Sequence, residues 1–198
     1  MDFQRVVGRR KMCRSFEDRP VPPDLLGRIL ENAQRAPSAG FSQGWAFVVL
    51  EGEEQTSVFW EHTTDEEWRQ DPNWPGLLRA PVIILPLAHK QAYLDRYSEP
   101  DKAAFGRQDE ASWPVPFWLV DTAFATMVIL LTTVDAGLGA LFFGIARGER
   151  ALLAALAVPE GYQPIGAVAL GWPAPDRPSP SLKRGRRAPE QVIHRGRW

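Results

Sequence analysis

The longest apolar run in the chain extends from Phe117 to Val134. It is close to bilayer-spanning length, and its polar content decides its fate. Asp121 and the threonines Thr122, Thr126, Thr132 and Thr133 fall inside it, and an ionisable group in hydrocarbon is costly. The run therefore reads as a long helix buried in a protein core, which requires a sheet or other helices to cover it. A chain of 198 residues can supply them within a single domain, 1–198.

The covering elements are visible on either side. Leu25, Leu26, Ile29, Leu30 and Ala33 recur at helical spacing between Pro22 and Ala36, and Pro22, Pro23 and Asp24 suit a first turn. A loop of small residues, 37–44, leads into an aromatic and β-branched run, Trp45–Leu50, that favours a buried strand. Ala80–Leu87 reads as a second strand, with Pro81 at its start and Pro86 near its end. Gly137 and Gly139 end the long helix ahead of a strand-like Ala140–Phe143, and Ile165–Gly171 looks like a core strand after a short helix, Glu149–Leu156. Helices and strands interleave without doubly wound regularity, so the expected fold class is α+β. Residues 89–113 are abruptly polar, either a solvated excursion or a substrate lid, and 173–198 forms a proline-bearing, basic arm.

Composition removes several classes of function. Lys and Arg total 23 against 24 Asp and Glu, so net charge exerts no pull toward nucleic acid or a membrane surface. The arm from Lys183 onward is locally basic, but nothing else supports a nucleic-acid role. The lone Cys13 cannot form an internal disulfide, and the N-terminus lacks the apolar run of a signal peptide, which makes the cytoplasm the expected compartment. His62, His89 and His194 are too scattered for a metal site. The segment Gly137–Phe142 lacks the third glycine of a dinucleotide fingerprint and follows a helix, not a strand. Cys13 lies among cations that would lower its pKa, yet a lone cysteine in an amphipathic segment is more often simply packed.

Arg9, Arg10, Lys11 and Arg14 place four cations within six residues. Guanidinium forks and an ammonium suit a phosphate, although taken alone the cluster is more simply a solvated patch. The surrounding text changes the balance. Arg10-Lys-Met-Cys-Arg-Ser-Phe16, Pro20-Val21 and Ala36-Pro-Ser-Ala-Gly-Phe-Ser-Gln-Gly-Trp45 resemble the nitroreductase family in order and spacing, as do Leu138–Gly144, Val158–Tyr162, Ala169–Pro173 and Arg186–Pro189. The resemblance covers nearly the whole chain.

That resemblance implies a nitroreductase-like fold, a central mixed β-sheet flanked by helices in an intertwined homodimer, with FMN held between subunits. Arg10 and Lys11 would face the FMN phosphate and ribityl chain beside Met12, and Arg14 the N1/C2 edge, where a fixed cation favours the reduced state. Pro37, Ser38, Ala39 and Gln43 would lie against the flavin. A backbone N–H at the end of Phe142, Phe143 and Gly144 would donate to N5, and Arg187, with Lys183 or Arg186, would complete the phosphate site. The family's usual Ser, Asn and Pro are Met12, Phe41 and Gly44 here, so the polar contacts those residues make are missing, and an acidic residue often found near the Gly144 position is absent, a departure that bears on substrate and donor preference more than on flavin binding.

The implied activity is passage of electrons from NADH or NADPH, through FMN, to a nitroaromatic, quinone or similar small acceptor by a ping-pong mechanism. No side-chain nucleophile or metal takes part. Phe41, Trp113, Phe117 and Trp118 are the expected substrate-pocket residues, with Trp113 and Trp118 equally explicable as core aromatics. Two alternatives stay open. One is flavin cleavage or dehalogenation, for which Tyr93, Tyr97, Glu99 and Lys102 could grip a zwitterion; the other is a non-catalytic flavin sensor or store. The donor is open among NADH, NADPH and a deazaflavin.

Overall fold

The computed structural model describes residues 1–198. In chain order it comprises α1 (Phe3–Arg9), α2 (Pro23–Ala33), β1 (Trp45–Glu51), α3 (Gly52–Thr63), α4 (Glu66–Gln70), β2 (Val82–His89), α5 (Lys90–Ser98), α6 (Phe117–Asp135), β3 (Gly139–Phe143), α7 (Glu149–Ala155), β4 (Tyr162–Pro164) and β5 (Ala167–Gly171), joined by short 3₁₀ turns. The sheet runs β1-β2-β5-β3, with β4 sharing an edge of β2. All four ladders are antiparallel. The parallel component is a single bridge between Met12 and Ala140.

Alternation along the strands divides the interior into two layers. Ile83, Leu85, Leu87, Leu141, Ala167 and Ala169 face a core shared with Phe59 and Trp60 of α3 and Leu152 of α7. Val82, Ile84, Ala140, Val168 and Leu170 face the other, closed by Leu26 and Ile29 of α2 and Ile129 and Leu130 of α6. Both sheet faces are covered, which is why these strands read as nearly continuous apolar runs.

The threonines of α6 tolerate burial because Thr122, Thr126 and Thr133 each donate to the carbonyl four residues back, at 2.7, 2.8 and 2.8 Å. Gly137 ends the helix with φ 78°. Leu138 N–H donates to Thr133 O and Gly137 N–H to Val134 O, the pair of bonds expected of a glycine-terminated helix. The opposite face of α6 leaves Phe124 and Met127 exposed, as α1 leaves Phe3 and Val7.

Candidate functional site

The N-terminal basic segment is fixed by backbone pairing on both sides. Cys13 N–H donates to Ala140 O of β3 at 2.9 Å, Glu17 N–H to Trp172 O at 2.9 Å, and Ala174 N–H to Ser15 O at 3.0 Å. Arg14 N–H donates to Asp176 Oδ2 at 2.8 Å. This zipper brings the C-terminal arm beside the first cations. Arg10, Lys11, Met12 and Arg14 line a groove of about 410 Å³ with Asp176, Arg177, Pro178, Ser179, Ser181, Leu182 and Arg186. Five cations thus face one carboxylate, an arrangement suited to a phosphate dianion.

A second, more open cavity of about 660 Å³ adjoins the first through Arg14, Asp176 and Arg177 and adds Asn73, Trp74 and Arg79. The guanidiniums of Arg14 and Arg177 lie over the Trp74 ring, 5.3 and 5.4 Å from its centroid, and Arg177 donates to Asn73 O. Arg187 does not join this groove; its guanidinium donates to Gln191 O at 2.7 Å.

Phe142, Phe143 and Gly144 close β3 beside an apolar hollow of about 240 Å³ that includes Trp60, Trp68, Phe143, Gly144 and Arg147. Trp60 stacks between Phe143 and Trp68, with centroids 5.9 and 6.2 Å away. A Cβ built on Gly144 would meet nothing within 4 Å, which leaves the room that close approach of a flat ring requires. Two buried donors, Trp60 Nε1 and Trp74 Nε1, have no protein partner. An aromatic bed, an open glycine and a cationic groove are the features an FMN needs, so these residues fit that group.

The loop 37–44 lies apart from the groove, and none of its residues lines it. Ala39 N–H donates to Asp121 Oδ2 at 2.8 Å, and Gln43 N–H to Ser38 Oγ at 3.0 Å. Phe41 projects outward, 73% exposed. Trp113, Phe117 and Trp118 pack instead around Tyr93, Trp113 lying 5.9 Å from Tyr93 and 5.8 Å from Phe117 by ring centroids. Trp118 and Tyr93 are buried in this satellite core with Ala88. None of the four expected pocket residues lines the groove, the adjoining cavity or the apolar hollow described above.

Burial pushes the Cys13 thiol upward, with neighbouring Lys11 and Arg14 pulling it down less strongly, and the residue is only 3% exposed, which favours the packed reading over an activated thiol. Burial likewise raises the Asp121 carboxyl despite the bonds from Ala39 and Tyr93, and raises the Tyr93 hydroxyl. The proposed zwitterion grip is already engaged internally. Tyr93 O–H donates to Asp121 at 2.9 Å, Glu99 accepts from Arg96 at 2.9 Å, and Lys102 sits over Phe105 at 5.4 Å. No group of three His, Cys, Asp or Glu side chains is arranged to hold a metal.

Trp60, Trp68, Trp74, Asp176 and Arg177 were not singled out by sequence reasoning. Eight tryptophans in the chain, three of them at 60, 68 and 74 in an otherwise polar stretch, were the available signal. Asp176 and Arg177 carried none, because their role depends on the zipper between distant segments.

The profile of the nitroreductase family matches residues 7–172. A protein of Methanothermobacter thermautotrophicus, provisionally named NADH dehydrogenase/NAD(P)H nitroreductase, is 27% identical over 88% of this chain and 78% of its own length. An iodotyrosine deiodinase of Haliscomenobacter hydrossis is 24% identical over 98% of this chain and 89% of its own. Among solved structures, a nitroreductase family protein of Clostridium difficile superposes with a TM-score of 0.72, 20% identity and full coverage of both chains.

Proposed function

Since the chain belongs to the nitroreductase family and is an oxidoreductase, we propose that it binds FMN and passes electrons from NADH or NADPH to a quinone, nitroaromatic or similar small acceptor. The observation that carries the reading is the convergence of Arg10, Lys11, Arg14, Arg177 and Arg186 on one groove with Asp176 as the only carboxylate.

Bound there, FMN would supply hydride acceptance and its onward transfer. Arg10, Lys11 and Arg186 would hold the phosphate, and Arg14 would place a fixed positive charge beside the ring, where it favours the reduced state. Gly144 would offer its backbone N–H to the ring, and Trp60, Trp68 and Phe143 would keep water from its apolar side. No side chain need act as nucleophile. One space beside the bound ring would serve donor and acceptor in turn, which would give ping-pong kinetics.

The loop bearing Pro37, Ser38, Ala39, Phe41 and Gln43 reaches the cofactor of a second copy, so the working form is a homodimer, and the proposed compartment is the cytoplasm. The exposed apolar side chains of α1 and α6 support that assembly, as does an arm whose Leu182, Val192, Ile193 and Trp198 find no cover on their own domain. Dehalogenation is the second reading, favoured by the deiodinase relative; release of iodide from iodotyrosine with a reduced donor tests it.

The purified protein is expected to be yellow and to release FMN on denaturation. Chromatography that finds FAD, or failure to bind added FMN, would contradict the proposal.

A further inference from the structure

The loop 37–44 is held in a conformation its residues do not prefer. Gly40, Phe41 and Gln43 have φ of 62°, 58° and 50°, and left-handed backbone is disfavoured for the two that carry a Cβ. Two elements restrain it. From α6, Asp121, only 2% exposed, accepts Ala39 N–H at 2.8 Å and Tyr93 O–H at 2.9 Å, both on Oδ2. From α5, Arg96 Nε donates to Gly40 O at 2.9 Å, while its two Nη atoms are fixed by both carboxylate oxygens of Asp101 at 2.7 Å. The rings of Tyr97 and Tyr93 lie so close that a Cβ on Gly40 or Gly44 would come within 2.6 or 2.5 Å of them.

A carboxylate buried in an apolar helix without a cationic partner is not explained by packing, for which an aliphatic side chain would serve better. We propose that Asp121 and Arg96 are positioning residues: they set the strained loop so that Ser38 and Phe41 meet the flavin held by a second copy of the chain. The polar segment 89–113 is on this view a brace for the loop. The inference rests on the proposed function, since it takes the FMN-binding dimer as given.

Because both bonds to Asp121 end on one oxygen, an amide can accept both. Asp121→Asn therefore keeps the brace, whereas Asp121→Ala leaves the buried Tyr93 O–H and the part-buried Ala39 N–H unpaired, and Arg96→Ala frees the Gly40 carbonyl without opening the core. FMN titration followed by flavin fluorescence, with sedimentation to verify the dimer, reads the effect. Asp121→Ala and Arg96→Ala are expected to weaken FMN binding by about tenfold while Asp121→Asn stays within about twofold of wild type. In flavin-saturated enzyme, Arg96→Ala should raise the KM for menadione with little change in kcat, a split that a merely structural role would not produce. If Asp121→Ala fails to fold, Arg96→Ala decides alone. Wild-type FMN affinity in Arg96→Ala, or an Asp121→Asn variant as weak as Asp121→Ala, overturns the inference. Failure of the wild type itself to take up FMN overturns the proposed function and this inference together.

Discussion

Arg10, Lys11, Arg14 and Arg186 are the residues whose sequence pattern and placement agree, since all line one groove. Loss of a charged hydrogen bond to phosphate costs about 1.5–3 kcal/mol, so Arg10→Ala and Arg186→Ala should each weaken FMN binding by roughly tenfold to a hundredfold. Arg187→Ala should do far less, because that guanidinium is occupied by Gln191 O. Equilibrium titration of the three variants orders them, and an Arg187 effect exceeding the other two would reassign the phosphate site. Asp121 permits a second prediction. Its carboxyl is raised by burial in the folded state, so the folded chain holds that proton more tightly than the unfolded chain does. The stability tied to that preference is complete below the ordinary carboxylate range and fades as pH climbs through the raised value. An amide carries no such dependence. The Tm of Asp121→Asn relative to wild type should therefore rise as pH climbs above the ordinary carboxylate range; a flat difference would mean that the carboxyl titrates normally.

At the scale of elements, legibility followed the strength of periodicity. The expected helix from Pro22 is observed as Pro23–Ala33, the long apolar helix as Phe117–Asp135, and the strand Trp45–Leu50 as Trp45–Glu51. The helices α3, α4 and α5 were not foreseen. α3 begins on a glycine at φ 74°, and α5 is mainly polar, burying only Tyr93, so neither shows a clean apolar stripe. The long helix also poses an assembly question. Phe124 and Met127 on α6, with Phe3 and Val7 on α1, form an exposed apolar face, and such a patch on a helix of this length is better covered by a partner. A charge introduced by Phe124→Glu should be tolerated by the exposed site within one chain and should dissociate the proposed dimer. Sedimentation equilibrium tests this, and a wild-type monomer that retains FMN would contradict the assembly.

The whole molecule separates what one chain can arrange from what it cannot. The cationic groove, the aromatic bed and Gly144 lie within one chain, while the loop bearing Ser38 and Phe41 contributes no residue to either cavity. The basic segment and the small-residue loop were both legible as motifs, but nothing in their pattern indicated that Tyr93, Arg96 and Asp121 would hold the loop in place. Those contacts join residues distant in sequence and depend on the packing of α5 and α6. Trp113 and Trp118 follow the plainer of their two readings within a single copy, as aromatics packed around Tyr93. The central claim is that a single flavin, reached from one space, takes electrons from a nicotinamide and yields them to a second molecule. Anaerobic stopped-flow mixing with NADH or NADPH tests it most directly. The account predicts rapid bleaching of the yellow absorbance by at least one donor without acceptor present, and its return at a kinetically competent rate when a quinone follows. Absorbance that neither donor bleaches, or bleaching that occurs only when donor and quinone are present together, would contradict it.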